Sequence, residues 1–156
     1  MNAILLALSL VSPVRAAIPG CLPQTIDKKA KLTFPGGKTI VADIVDTSAT
    51  REIGLMCRTR LARDYGMLFV FSSEMKLNFW MKNTLVPLDI VWIGADKRVT
   101  VIHARLKAST TSTPDSQVAR AGGIGQYVLE LPAGAAQRLK LKTGQTLKFD
   151  VAIPSL

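Results

Sequence analysis

The sequence predicts a mostly β, α+β fold: a small, partly open, mainly antiparallel β-barrel or curled sheet with one or two short helices. Three observations predict it. Short runs of β-branched and aromatic residues recur along the 156 residues, separated by Gly, Pro, Asn and Ser clusters. Helical periodicity is confined to two brief stretches. The length suits a single core, and an apolar share of 48% is ordinary for a globular chain. No apolar run reaches the ~18 residues a membrane-spanning helix needs.

Residues 1–16 have the layout of a signal peptide. Ala3 to Val11 is apolar but too short to span a bilayer, and Pro13 with Val14-Arg15-Ala16 sets up a cut after Ala16. The first two residues, Met1-Asn2, carry no basic charge. Ile18-Pro19-Gly20-Cys21 loosely resembles a lipoprotein cleavage box, but its Pro is atypical, so a lipid anchor is the lesser reading. Residues 17–29 read as an irregular arm and 30–154 as one β-rich domain. The expected location is periplasmic or secreted.

Within that domain, Lys31–Phe34 and Lys38–Asp46 read as strands around the Pro35-Gly36-Gly37 turn. Thr47 or Ser48 can cap a helix in which Ala49, Ile53, Met56 and Cys57 share one face, so this helix is expected to pack inward. Further strands are expected at Met67–Phe71, Leu77–Met81, Leu88–Ile93, Val99–Leu106, Tyr127–Leu131 and Leu147–Ile153. Leu88–Ile93 is apolar on both faces except at Asp89, which marks a covered strand. Residues 107–125, rich in Ser, Thr, Gly and Pro, read as a long mobile loop. Pro132–Leu139 reads as a short helix opened by Pro.

With 20 Lys and Arg against 11 Asp and Glu, the formal charge is +9. Such charge attracts nucleic acid or anionic surfaces in general. The basic residues are scattered singly, without interleaved aromatics, and an exported protein rarely meets nucleic acid. Nucleic acid is therefore not an expected partner, whereas peripheral contact with an anionic envelope surface stays open. In an oxidising compartment Cys21 and Cys57 can pair, a 36-residue loop worth roughly 3–4 kcal/mol by chain entropy. The alternative leaves Cys57 a buried thiol and Cys21 on a loose arm.

The candidate site lies in residues 54–89. A carboxylate at Asp89, sunk among apolar neighbours, demands a partner. Arg58 is the expected one, through two parallel hydrogen bonds, with Asn83 and Thr84 filling the remaining lone pairs. Such a clasp is either purely structural or the centre of a binding site. Trp80 offers a stacking platform, although tryptophan is more often core. Glu130 reads by default as an outward residue on a half-buried strand; paired with Asp89 it suggests general acid–base work. His103, the only histidine, reads as structural. Met56, Met67, Met81, Cys57 and His103 are soft ligands suited to Cu(I), but they lack clustered spacing, so no metal is assigned. Gly122-Gly123-Ile124-Gly125 lacks the features of a phosphate loop, and no cofactor is expected.

The segments GLM-x-R (54–58) with Leu61, GMLFVF (66–71), FWMKNT (79–84), PLDIVWI (87–93) and YVLELPAG (127–134), followed by a Lys142-x-Gly144 turn, carry a family resemblance. Over residues 30–153 the chain resembles the bacterial and archaeal "domain of unknown function 192" family. The resemblance implies a small β-rich, partly open barrel behind a signal peptide or lipoprotein leader, with no established activity. Gln145 stands where the family often has Asp.

The expected function is a non-enzymatic envelope module that binds a small molecule, glycan or protein partner, with Arg58, Trp80, Asn83, Thr84 and Asp89 lining its site. The alternatives are a hydrolase or lyase using Asp89 and Glu130, and an envelope assembly or structural factor acting through the basic surface and the 107–125 loop.

Overall fold

The computed structural model describes residues 21–155; the expected signal peptide lies outside the described residues. One open, mixed sheet of six strands organises the chain, in the order β1-β2-β3-β6-β4-β5. The strands are β1 (Lys29–Thr33), β2 (Thr39–Val45), β3 (Tyr65–Trp80), β4 (Leu88–Ile93), β5 (Val99–Leu106) and β6 (Arg120–Pro132). Two short helices, α1 (Ser48–Ile53) and α2 (Ala135–Arg138), complete it. The mostly β, unclosed sheet is the predicted class. All pairings are antiparallel except β2 with β3, which run parallel because α1 carries the chain across between them.

Four expectations change. The two strands foreseen at 67–71 and 77–81 are one strand, β3, whose register against β6 shifts between Val70 and Met75. That irregularity bends the β3–β6 ribbon back over the sheet, where Trp92 Nε1 donates to the Leu77 carbonyl at 3.2 Å. Second, the loop expected over 107–125 ends at Arg120, where β6 begins. Its glycines are strand residues that permit close approach: a Cβ on Gly123 would sit 2.5 Å from Val101 and 2.7 Å from Trp92. The shorter connection is fastened by Ser109 N to the Thr84 carbonyl at 2.9 Å, by Met81 N to the Ala119 carbonyl at 2.9 Å, and by a Lys82–Asp115 ion pair.

Third, α1 buries none of its residues. The helical face read through Met56 and Cys57 is cut at Gly54, whose φ of +48° ends the helix. Leu55, just past the break, is the side chain that enters the core. Fourth, Leu147–Ile153 is not a ladder strand and is held by isolated bridges such as Thr33 with Lys148. Its alternation is nevertheless real, since Leu147 and Phe149 are buried while Lys148 and Asp150 are exposed.

The sheet is covered on both faces. One face packs Leu32, Leu68, Val91 and Leu129 against α2, Leu147 and Phe149. The other packs Met67, Phe69, Ile90, Trp92 and Val128 against Leu55, Leu77 and Met81. Double coverage buries all six residues of β4 and the stretch 125–131 of β6.

Candidate functional site

Asp89 is fully buried, but Arg58 does not hold it. Its Oδ1 accepts from the backbone amides of Arg105 at 2.8 Å and Gly134 at 3.0 Å, and its Oδ2 from Ala136 N at 2.9 Å. The geometry is local in origin. Leu88 faces Leu106 and Ile90 faces His103, so two residues of β5 oppose Asp89; Arg105, at φ +56°, turns its N–H toward the carboxylate. Asp89 thus caps the start of α2 and pins a bulge. Backbone donors replace the expected guanidinium, and Asn83 and Thr84 contribute nothing to it.

Arg58 belongs to a second cluster that the sequence reading missed. Its Nη2 pairs with Asp43 Oδ2 at 3.2 Å, and its guanidinium lies 5.1 Å over the Tyr65 ring. Tyr65 OH donates to the same Asp43 oxygen at 2.7 Å, and Lys29 Nζ lies 2.5 Å from Oδ1. Burial alone would raise the Asp43 carboxyl, but hydrogen bonds from Lys29 and Tyr65, with the charges of Lys29 and Arg58, hold it below its ordinary range. Burial, reinforced by the bond to Asp43, pushes the Tyr65 phenol far up. The cluster sits beside a Cys21–Cys57 disulfide with Cα atoms 5.5 Å apart. Arg58 Nη2 also reaches the Gln24 carbonyl at 3.3 Å, so cluster and disulfide together tie the arm to the end of α1.

Glu130 is the group that changes most. Read as outward, it is buried, because β6 runs between β3 and β4 under cover on both faces. It cannot form a carboxylate pair with Asp89. In the β4–β6 ladder Asp89 pairs with Leu131 and Ile90 with Glu130, so the two acids project to opposite faces. The acid–base reading of this pair is thereby removed. Glu130 Oε2 is buried without a hydrogen-bond partner, and burial pushes its carboxyl up to about 8. It is a neutral acid at neutral pH.

Glu130 borders a cavity of about 370 Å³ between α1 and the β3–β6 ribbon. Phe69, Phe71, Leu77 and Phe79 of β3 line it, with Leu55 and Met56 from the turn after α1. Gly54 lets that turn lie close: a Cβ there would meet the Phe69 ring at 3.1 Å. Phe69 and Phe79 stack edge to face at 4.8 Å. The polar groups are Ser48, Arg51, Glu52, Asn78, Thr84 and Glu130. Trp80, 40% exposed, stands at the mouth with Lys82 and Arg120 within 5.5 and 5.1 Å of its ring.

Of the five predicted lining residues, Trp80 and Thr84 meet at this cavity, while Arg58 and Asp89 lie elsewhere. Asn83, at φ +51°, accepts from Cys57 N through its carbonyl and keeps Oδ1 buried without a partner. The residues considered for copper are dispersed. Cys57 is disulfide-bonded, His103 Nε2 meets the Gly122 carbonyl at 3.0 Å, and Met67 and Met81 are core. Among the described residues, no group of three or more His, Cys, Asp or Glu could hold a metal ion.

An open six-stranded sheet with a buried acid at an aromatic cavity defines the class: a small β-rich domain. Its GLM, GMLF, FWMKNT and LELP segments all border that cavity. The DUF192 family, described as "Uncharacterized ACR, COG1430", matches residues 30–149, and the chain belongs to it. Comparison with curated proteins gives no match. Two crystal structures are similar. One, from Sinorhizobium meliloti 1021 and described as a candidate transcription regulator, shares 34% identity at TM-score 0.65, over 78% of this chain and 92% of that one. The other, a protein of unknown function from Novosphingobium aromaticivorans DSM 12444, shares 30% identity at TM-score 0.63, over 88% of this chain and 98% of that one.

Proposed function

We propose that the protein is an exported, non-enzymatic binding module whose small ligand occupies the cavity between α1 and the β3–β6 ribbon. The observation that carries this reading is the unpartnered Glu130 carboxyl beside aromatic walls. A buried polar atom without a partner costs ~1–3 kcal/mol, which a bound ligand can recover. The volume of about 370 Å³ is at the small end of ligand pockets and suits a compact apolar body better than an extended glycan. Export is supported by the leader-like residues 1–16 and by the Cys21–Cys57 bond, since disulfides persist in oxidising compartments.

The test uses 2-phenylethanol as a neutral probe. Its titration should move the amide resonances of Leu55, Phe79 and Thr84 saturably, with weaker binding in Trp80→Ala. Shifts that are absent, or that map away from these residues, would contradict the assignment.

A further inference from the structure

We infer that the cavity selects a hydrophobic organic amine, its ammonium held by Glu130 and Thr84 and its aryl or alkyl body against Phe69, Phe71 and Phe79. This rests on the cavity being a ligand site and goes further by fixing the ligand's polar end.

The cavity's uncommitted groups point to this ligand. Glu130 Oε2 is buried and bonded to nothing, and no cation pairs with Glu130 among the described residues. Thr84 Oγ1 donates its hydrogen to the Lys82 carbonyl at 3.2 Å, which leaves its oxygen as an acceptor. Glu52 adds a second carboxylate to the lining, also without an ion-pair partner among the described residues. The one lining cation, Arg51, is already committed. Its Nη1 serves the carbonyls of Asp46 and Val70 at 2.6 and 2.9 Å, and its guanidinium lies 4.8 Å over Phe71.

In a chain of formal charge +9, the buried free capacity of this cavity, Glu130 with Thr84, is therefore acceptor-rich and acidic, while Ser48, Glu52 and Asn78 lie on its exposed rim. An ammonium supplies three donors and a positive charge, and aromatic faces attract such a charge when water is excluded. A carboxylate ligand reaching Glu130 would face two acids, with Arg51 turned onto main-chain carbonyls and Phe71 and with Lys82 and Arg120 out at the mouth around Trp80. A neutral alcohol would leave Glu130 protonated and gain one hydrogen bond, without the charge pairing an ammonium brings.

Binding shifts one proton. The free acid is protonated below about pH 8, so an ammonium that pairs with it displaces that proton to solvent. The charged and titratable groups near Glu130 are Arg51 and Glu52 from α1 and Tyr65 from β3; β4 presents Ile90. Tyr65, with its phenol pushed far up, stays neutral throughout.

Calorimetry on the full chain with 2-phenylethylamine, 2-phenylethanol and 3-phenylpropionate decides the matter. At pH 8 the amine should bind about tenfold or more tightly than the alcohol and the acid least. Close to one proton should be released at pH 6.5, judged from two buffers of different ionisation enthalpy. Glu130→Gln should bring amine and alcohol to equal affinity. Alcohol binding at the cavity with no amine preference overturns this inference and leaves the cavity reading intact; failure of all three overturns both. If Glu130→Gln does not fold, the proton count and ligand order in the unaltered protein still decide.

Discussion

Asp89 on β4 and Glu130 on β6 stand one ladder position apart and are both buried, yet they project to opposite faces of the sheet. Asp89 meets three backbone amides, supplied by the β5 bulge and the start of α2. At Glu130, Oε2 meets nothing, and a cavity lies beside it. Buried charge sorts by what fills its lone pairs. An acid whose lone pairs are filled by main chain is part of the fold's wiring. An acid left empty beside open space costs stability, and it is the natural place to look for a ligand. Asp43 falls between the two, since its carboxylate is satisfied by the side chains of Lys29, Arg58 and Tyr65.

Breaking the satisfied member should have the largest effect. Asp89→Ala leaves the amides of Arg105, Gly134 and Ala136 without their acceptor, and should cost about 5 kcal/mol in urea denaturation. A loss below ~1 kcal/mol would show that Asp89 is not the cap of α2.

Next is the pH dependence set by Glu130. Its folded pKa, about 8, lies above its ordinary 4.5, so the unfolded chain releases this proton first as pH rises. The stability this group contributes is fully present below about pH 4.5 and is lost as pH rises through about 8. At ~1.4 kcal/mol per unit, roughly 4 kcal/mol should disappear across that window. Glu130→Gln should flatten the curve and be the more stable protein at pH 8. A variant that tracks the unaltered protein at every pH would place the titration elsewhere.

The smallest effect sharpens the intermediate case. Tyr65→Phe removes one hydrogen bond to a charged acceptor, and should cost about 1–2 kcal/mol at neutral pH. Because the Asp43 carboxyl is held low, that contribution is present above its ordinary range and fades as pH falls through the depressed value. Thermal unfolding followed from pH 7 downward should therefore show a gap between the two proteins that is full at pH 7 and narrows only below the ordinary aspartate range.

Much of the fold is legible in local chemistry. The Pro35-Gly36-Gly37 turn, the uniformly apolar β4 and the alternation after Leu147 all follow from residue type and period. What local patterns do not show is where the chain crosses itself. β3 reads as two strands because Ser72-Ser73-Glu74 looks like a break, whereas the β6 partner carries the ladder across it. The glycines of β6 look like loop because their reason lies in Trp92 and Val101, tens of residues away. The site follows the same rule. Trp80 and Thr84 could be chosen because they sit in a dense motif. Arg58 serves Asp43 where the sequence points to Asp89, since nothing local distinguishes the two aspartates. Glu130 reads as outward because period-two alternation assumes that one face meets water, and residues 125–131 of β6 have no such face. The available signal was a lone acid in Tyr127–Leu131, a segment otherwise as apolar as β4.

The central claim is that Glu130 is an unsatisfied acid at a ligand cavity, and a carboxyl-carbon NMR titration of Glu130 in the free protein tests it most directly. The account predicts a midpoint near 8, set by burial. A midpoint at the ordinary glutamate value would mean that water or a protein partner already serves the carboxylate, and the cavity would lose the group that gives it a purpose.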